Sequence, residues 1–331
     1  MRPLSYARVS TVGEAVRAVG ADPAAAFLAG GTTEVDLIRL GVTRPGLLVD
    51  INDLPLADVE DLPGGGVRIG ALARMSDVAR APAVVARYPA VSQALLLGAS
   101  EQLRNMASMG GNLCQRVRCA YFRDGISPCG KREPGTGCSA LEGLNRGHAI
   151  LGTSEHCIAT HPSDVAVALV ALDAIGHTAG PGGVRRLPID DFFPLPGDTP
   201  DREHPLEHGE LITAIELPPA GLARGAIYLK YRDRQSYEFA LVSVCAAVRV
   251  QDDGTVGEVR LALGGVATKP WRARRAEALL TGAPATAASY ADAAAAELST
   301  AIVRRHNAFK VELAQRAIVR GLTRAVREGA R

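Results

Sequence analysis

Residues 101–164, EQLRNMASMGGNLCQRVRCAYFRDGISPCGKREPGTGCSALEGLNRGHAILGTSEHCIATHPSD, decide how the rest of this sequence is read. The stretch contains a compact glycine pair, Gly110 and Gly111, and five of the chain's six cysteines. It closes on a helix-start signal, Pro162-Ser163-Asp164. Glycines let a backbone turn tightly and approach a ligand, and clustered thiols are soft metal ligands. No other stretch combines the two, so the flanking sequence reads as scaffold for what binds here.

Upstream, LAGGTTEVDLIRLG (residues 28–41) reads as strand, glycine turn and amphipathic helix, with Gly41 as terminator. Gly30 and Gly31, followed by Thr32 and Thr33, offer backbone amides and hydroxyls to phosphate oxygens. The loop lacks the third glycine of a Rossmann fingerprint and the Gly-Lys-Thr of a Walker loop, so neither nucleotide motif applies. Alone, it is as readily an ordinary strand-to-helix turn. A second loop of the same kind, NMASMGGN (residues 105–112), shifts that balance with its Ser108 hydroxyl and Asn112 amide. A dinucleotide pyrophosphate presents oxygens on several sides, and two loops can clamp it.

Nine residues separate Cys119 from Cys129, eight separate Cys129 from Cys138, and eighteen separate Cys138 from Cys157. The glycine- and proline-rich chain between them can wrap a compact ligand but does not form a core. Four thiolates in such a loop suit tetrahedral zinc or an iron–sulfur cluster. The tightest pair, Cys114 and Cys119, has four intervening residues, which weakens zinc without removing it. Buried or disulfide-linked cysteines are the plain alternative. Cys245, in the apolar SVCAAV, reads as core. His148, His156 and His161 are taken as structural. No Ser/His/Asp or paired-carboxylate arrangement points to hydrolysis.

Around this centre, 331 residues suffice for two or three modules with real cores. A net charge of +2, with no basic block interleaved with aromatics, argues against a nucleic-acid partner. No apolar run is long enough to span a bilayer, and the N-terminus has no signal-type core. Before the cysteines, short strands and helices alternate: a strand over 6–9, a Thr11/Glu14 capping box, a buried strand over 47–51, and two helices over 76–100 separated by Pro82 and Pro89. After them come a helix over 162–174, a hairpin over 175–193 turning at 180–183, and a strand over 211–217. A boundary falls at Gly221, giving modules 1–221, with the insert at about 114–157, and 222–331. The second module reads as three antiparallel strands (226–231, 239–250, 256–264) and three helices (272–280, 287–304, 309–328), an α+β arrangement.

At this point the chain resembles a family. LAGGTTEVDLIRLG, RNMASMGGNLCQR and HPSDVAVALVALDA are similar to the FAD-binding subunits of the xanthine dehydrogenase family of molybdenum hydroxylases. RCAYFR, CSALEGLNRGHAILG and CIATHPSD narrow the resemblance to the flavin subunit of bacterial, periplasmic-type aldehyde oxidoreductases, which carries an extra [4Fe–4S] cluster. The resemblance implies a vanillyl-alcohol-oxidase/p-cresol-methylhydroxylase-type FAD domain followed by a carbon monoxide dehydrogenase flavoprotein-type C-terminal domain. It assigns the pyrophosphate to Phe27, Leu28, Ala29, Gly30, Gly31, Thr32, Thr33, Glu34 and Val35, clamped by Ser108, Gly111 and Asn112. Ser108 stands where the family usually has threonine. Asp164 would face the ribityl or adenosine region, the Ile215 backbone the adenine or flavin, and Lys230 the isoalloxazine. The implied cluster ligands are Cys119, Cys129, Cys138 and Cys157, with Cys114 a departure from relatives. Each has a plainer alternative: Asp164 as a helix-start acid, Lys230 as a solvated strand residue.

The resulting expectation is an electron-transfer subunit. A large molybdenum-cofactor partner would oxidise the aldehyde, and a small [2Fe–2S] partner would pass electrons to FAD here and on to an external acceptor. The rivals are a hydroxybenzoyl-CoA reductase-type flavoprotein and a zinc-stapled assembly module. A cytoplasmic location is expected from the absence of a signal, or the periplasm by co-export with a twin-arginine-signal partner.

Overall fold

The computed structural model describes residues 3–329. The chain opens with β1 (Ser5–Arg8), α1 (Val12–Gly20), β2 (Ala25–Leu28), α2 (Glu34–Leu40) and β3 (Leu47–Asp50). The strands pair in parallel in the order β1-β3-β2. Parallel neighbours need crossovers, which α1 and α2 supply. The Thr11/Glu14 capping box starts α1, and Gly41, at φ 72°, ends α2 in the left-handed conformation.

A second sheet begins with β4 (Val59–Asp61) and β5 (Val67–Gly70). Short helices follow: α3 (Met75–Arg80), α4 (Pro82–Arg87), α5 (Pro89–Leu97), α6 (Glu101–Met106), α7 (Met109–Leu113) and α8 (Ala120–Arg123). After the cysteine insert come α9 (Asp164–Ala171), β6 (Ile175–Gly180), β7 (Gly183–Pro188) and β8 (Leu211–Leu217). The order is β4-β5-β8-β6-β7, each pair antiparallel. The two helices expected over 76–100 are three. Pro82 and Pro89 each open a helix at its first turn, where the missing N–H costs nothing, rather than lying in a break. All eight residues of α9 are buried, so its uniformly apolar sequence marks a central helix.

The C-terminal part follows a 3₁₀ turn at Gly221–Gly225. It comprises β9 (Ile227–Tyr231), β10 (Val242–Val250), β11 (Val256–Gly264), β12 (Trp271–Arg272), α10 (Arg274–Leu280), α11 (Ala287–Leu298) and α12 (Phe309–Gly329). Its antiparallel sheet has four strands, not three: β12 adds onto β11 at Ala262 and Leu263. Two residues are too few to show an alternating pattern. The strand expected from 239 starts at Val242, leaving 237–241 free to turn. The helix expected to run to 304 stops at Leu298, and the chain continues across the cysteine insert, with Ile302 N–H donating to the Ile150 carbonyl at 2.8 Å.

One core joins the second sheet, α5 and α9 to Cys245, Ala247 and Ala262 of the last sheet, so these parts share buried surface. A smaller cluster packs Leu37 of α2 against Val117, Phe122, Cys129 and Cys157, fastening the insert to the first sheet's helix.

Candidate cofactor cleft and four-thiol pocket

The two glycine loops face one another. A Cβ on Gly30 would lie 1.9 Å from the Met106 carbonyl oxygen, so only glycine permits this approach. Gly31 sits at φ 69° with the Leu28 and Val35 side chains packed beneath it. A hydrogen-bond chain spans the loops. Asn52 Nδ2 donates to the Ala29 carbonyl at 3.0 Å, Arg74 Nη2 donates to Asn52 Oδ1 at 2.9 Å, and Arg74 Nη1 donates to the Met106 carbonyl at 2.6 Å. Asp50 Oδ1 accepts from the Asn52 amide N–H at 2.9 Å and anchors the chain. Burial alone raises the Asp50 carboxyl, but hydrogen bonds from Tyr6, Asn52 and Arg8 outweigh it and bring its pKa down to about 2.

Two cavities open on either side of this junction, of about 540 and 460 Å³. Small-molecule sites span roughly 300–1,000 Å³. Both are lined by Thr32, Thr33 and Gly111, so they meet at the paired loops. Phe27, Ala29, Gly30, Gly31, Glu34 and Ser108 line the first, and Asn112 and Asp164 line the second. Leu28 and Val35 support the loop instead of lining either cavity. Ile215 is fully buried in the centre of β8, while its neighbours Leu211 and Ile212 reach the first cavity. Lys230 is also withdrawn: its Nζ lies 2.8 Å from Asp164 Oδ2 and donates to the Leu97 carbonyl at 3.0 Å. Asp164 accepts a further bond from the Tyr228 hydroxyl at 2.6 Å. Burial raises the Asp164 carboxyl, and Lys230 and Tyr228 oppose that rise.

Sequence reasoning missed several wall residues, among them four aromatic or cationic ones. Arg116 lines the first cavity; Arg118, Tyr237 and Phe239 line the second. Arg118 Nη2 donates to Thr33 Oγ1 at 3.3 Å, and its guanidinium lies 5.2 Å from the Phe239 ring centroid. The signal was the alternation RVRC beside the second glycine loop, which reads as two faces of an extended segment.

Those two faces separate two sites. Arg116 and Arg118 point to the cavities, whereas Val117 and Cys119 line a small pocket on the other side. Cys129, Cys138 and Cys157 complete that pocket, and Cys129 and Cys138 face each other across a β-bridge. All six cysteines are free thiols. Cys114 lines the first cavity instead. Burial, with the neighbouring thiols adding to it, pushes Cys119 up to about 12 and Cys157 up to about 11. Such thiols ionise when a metal centre replaces their protons. His148 Nε2 lies 3.2 Å from Cys119 Sγ, and burial lowers its pKa to about 4, so the ring is neutral. His156 meets Asp198 at 3.3 Å near the surface, and His161 packs edge-on against Phe193. Among the described residues, no three His, Cys, Asp or Glu side chains converge tightly enough to hold a single metal ion.

The sequence matches the FAD binding domain in molybdopterin dehydrogenase over residues 2–220. It matches the CO dehydrogenase flavoprotein C-terminal domain over residues 227–325. The aldehyde oxidoreductase FAD-binding subunit PaoB of Escherichia coli K12 is 48% identical over 98% of this chain and 99% of its own length. This chain is an FAD-binding subunit of the xanthine dehydrogenase family of molybdenum hydroxylases. The carbon monoxide dehydrogenase medium chain of Hydrogenophaga pseudoflava is 28% identical over 97% of this chain and 96% of its own. A solved structure of the H. pseudoflava carbon monoxide dehydrogenase superposes with a TM-score of 0.76 and 26% identity, covering 99% of both chains. Quinoline 2-oxidoreductase from Pseudomonas putida 86 shares the fold at a TM-score of 0.76 and 22% identity, covering 98% of both chains. The order of the two domains in this flavin subunit is the one the sequence resemblance implies. Among the described residues, no helix is long and apolar enough to cross a membrane.

Proposed function

We propose that this FAD-binding subunit of the aldehyde oxidoreductase family carries a [4Fe–4S] cluster beside its FAD and serves electron transfer. The observation that carries the reading is the pair of cavities meeting at Thr32, Thr33 and Gly111, with four thiols one extended segment away. In this reading the pyrophosphate rests on the amides and hydroxyls of Gly30–Thr33 and on the loop of Ser108, Gly111 and Asn112. Ser108 Oγ already accepts from the Gly111 N–H at 3.2 Å, which holds that loop in its turn before any ligand arrives. Asp164 contributes a carboxylate on the second cavity's wall, held by Lys230 and Tyr228 from β9. Lys230 thus acts on the flavin side through Asp164. Bound flavin supplies the ability to take up single electrons and release pairs.

Cys119, Cys129, Cys138 and Cys157 would hold the cluster. A donor set of four thiols, Cys129 and Cys157 buried and Cys119 and Cys138 half-buried, matches an iron–sulfur centre, and the Ala159 N–H at 3.4 Å from Cys157 Sγ is the kind of contact that stabilises a thiolate. The names of relatives, an aldehyde oxidoreductase FAD-binding subunit and a carbon monoxide dehydrogenase medium chain, support assembly with a large molybdenum-cofactor subunit and a small [2Fe–2S] subunit. Electrons would arrive from the small subunit and leave to an external acceptor.

Metal and flavin analysis of anaerobically purified protein, with its absorption spectrum, tests the proposal. About four irons and one FAD per chain without zinc are expected. One zinc and no flavin would overturn it in favour of an assembly module.

A further inference from the structure

Three side chains bridge the cofactor cleft and the thiol pocket. Glu203 lies between Arg116 and Lys131, ion-paired to both; Lys131 Nζ stands 3.3 Å from its carboxylate. Arg116 lines the first cavity, where Gly30–Glu34 also lie. Lys131 lines the thiol pocket and, with Cys157 and Glu203, a second small cavity behind it. The bridge is tightly framed. Lys131 Nζ donates to the Pro200 carbonyl at 2.7 Å, and Arg116 Nη2 donates to the Lys131 carbonyl at 3.2 Å. The Arg116 guanidinium lies 4.6 Å from the centroid of Phe122, a ring that itself borders the thiols. Burial raises the Glu203 carboxyl, but Lys131 and Arg116 outweigh it and keep its pKa below the usual carboxylate value, so the carboxylate stays charged.

One carboxylate therefore serves two cations that face different sites. We propose that Glu203 couples the two sites electrostatically, so that its ion pair with Lys131 beside the thiols keeps Arg116 available to an anion in the cofactor cleft. The inference rests on the reading of the cleft as an FAD site, not on the cluster. Its physical basis is competition. When Lys131 shares the carboxylate, Arg116 is less neutralised and attracts the diphosphate more. With a neutral side chain in place of Lys131, Glu203 pairs with Arg116 alone and the cleft becomes less attractive to an anion. The interaction is short and poorly screened because all three groups are largely buried. Coupling free energies between sites typically correspond to about 5-fold or more in affinity. The same linkage runs in reverse, since an anion in the cleft draws on Arg116 and leaves Glu203 closer to Lys131.

The test is the FAD dissociation constant, read by flavin fluorescence on the full chain stripped of flavin, for native protein, Lys131→Gln, Glu203→Gln and the double variant. Lys131→Gln, which does not touch the cleft, should weaken FAD binding about 5-fold or more. Glu203→Gln should tighten it, and in that background Lys131→Gln should have no further effect. Lys131→Arg, which keeps the charge, should retain native affinity, an outcome a purely structural role would not single out. Equal FAD affinity in native and Lys131→Gln protein would overturn the proposal, as would the same loss with and without Glu203. If Lys131→Gln does not fold, Glu203→Gln alone decides: unchanged or weaker binding overturns the coupling. Native protein that binds no FAD overturns both the coupling and the reading beneath it. Native protein that binds FAD but no iron counts against the cluster alone.

Discussion

Asp164, the first residue of α9, and Lys230, in β9, form a buried ion pair with Oδ2 and Nζ 2.8 Å apart, joining the cofactor domain to the C-terminal sheet. The Lys230 side chain is 1% exposed and that of Asp164 9%, so both charges are largely shielded from water. Lys230→Met should cost about 3–5 kcal/mol of stability, because it strands a buried carboxylate. Replacing both partners, as Asp164→Leu with Lys230→Met, should be much milder than either single change. Chemical denaturation of the three variants measures this, and a double variant as unstable as the sum of the singles would refute the pairing.

Gly30 touches the Met106 carbonyl so closely that no side chain fits. Gly30→Ala should force the two loops apart and lower FAD affinity by at least about tenfold, or roughly 1.4 kcal/mol. The circular dichroism spectrum should stay near native, since the strain is local. Gly41→Ala, at φ 72° but away from the cleft, is the control: it should lower stability without changing affinity.

Asp50 anchors the loop clamp through Asn52, and its pKa is held near 2 in the folded protein. Its folded value lies below the ordinary 3.8, so the stabilisation is present above about pH 4. It is lost as pH falls toward 2. The shift corresponds to about 2 kcal/mol. Asp50→Asn should remove this dependence, so that the native and variant stability curves converge toward pH 2 and separate above pH 4. Parallel curves across that window would contradict the assignment.

Lys310 of α12 is fully buried, and its Nζ donates to three backbone carbonyls: Gly147 at 2.9 Å, His148 at 3.0 Å and Gly265 at 2.7 Å. Burial lowers its pKa to about 7, and in the protonated form all three of its N–H groups are used. Lys310→Met should leave those carbonyls unpartnered at about 1–3 kcal/mol each where water does not replace the donor. Because Gly147 and His148 belong to the cysteine insert and His148 contacts Cys119, bound iron should fall more than bound FAD. Metal and flavin analysis on the same sample checks the order of loss.

Much of this architecture was legible in the chain. The Thr11/Glu14 box, the Gly41 stop and the α9 core helix are local features, set by residues within one or two turns, and each is found where the pattern puts it. The errors are equally physical. Pro82 and Pro89 look like separators in the linear pattern, although proline fits a helix's first turn. β12 is only two residues long and shows no period. Residues 299–304 leave α11, and there the Ile302 N–H bonds to the Ile150 carbonyl of the insert, a contact remote in sequence.

By itself the sequence determined the two glycine loops, the clustering of five cysteines in a glycine-rich insert, and the family. All of these are carried by short runs whose chemistry is local. Only the tertiary structure decided that Gly30 meets Met106, that Arg116 and Arg118 face the cleft while Val117 and Cys119 face the thiols, and that Lys230 is spent on Asp164. It also placed Ile215 in the core and Glu203 between two cations 72 and 87 residues earlier in the chain. The physical reason is the same in each case. Charge pairing and close packing depend on separations in space, and a linear pattern records only separations along the chain.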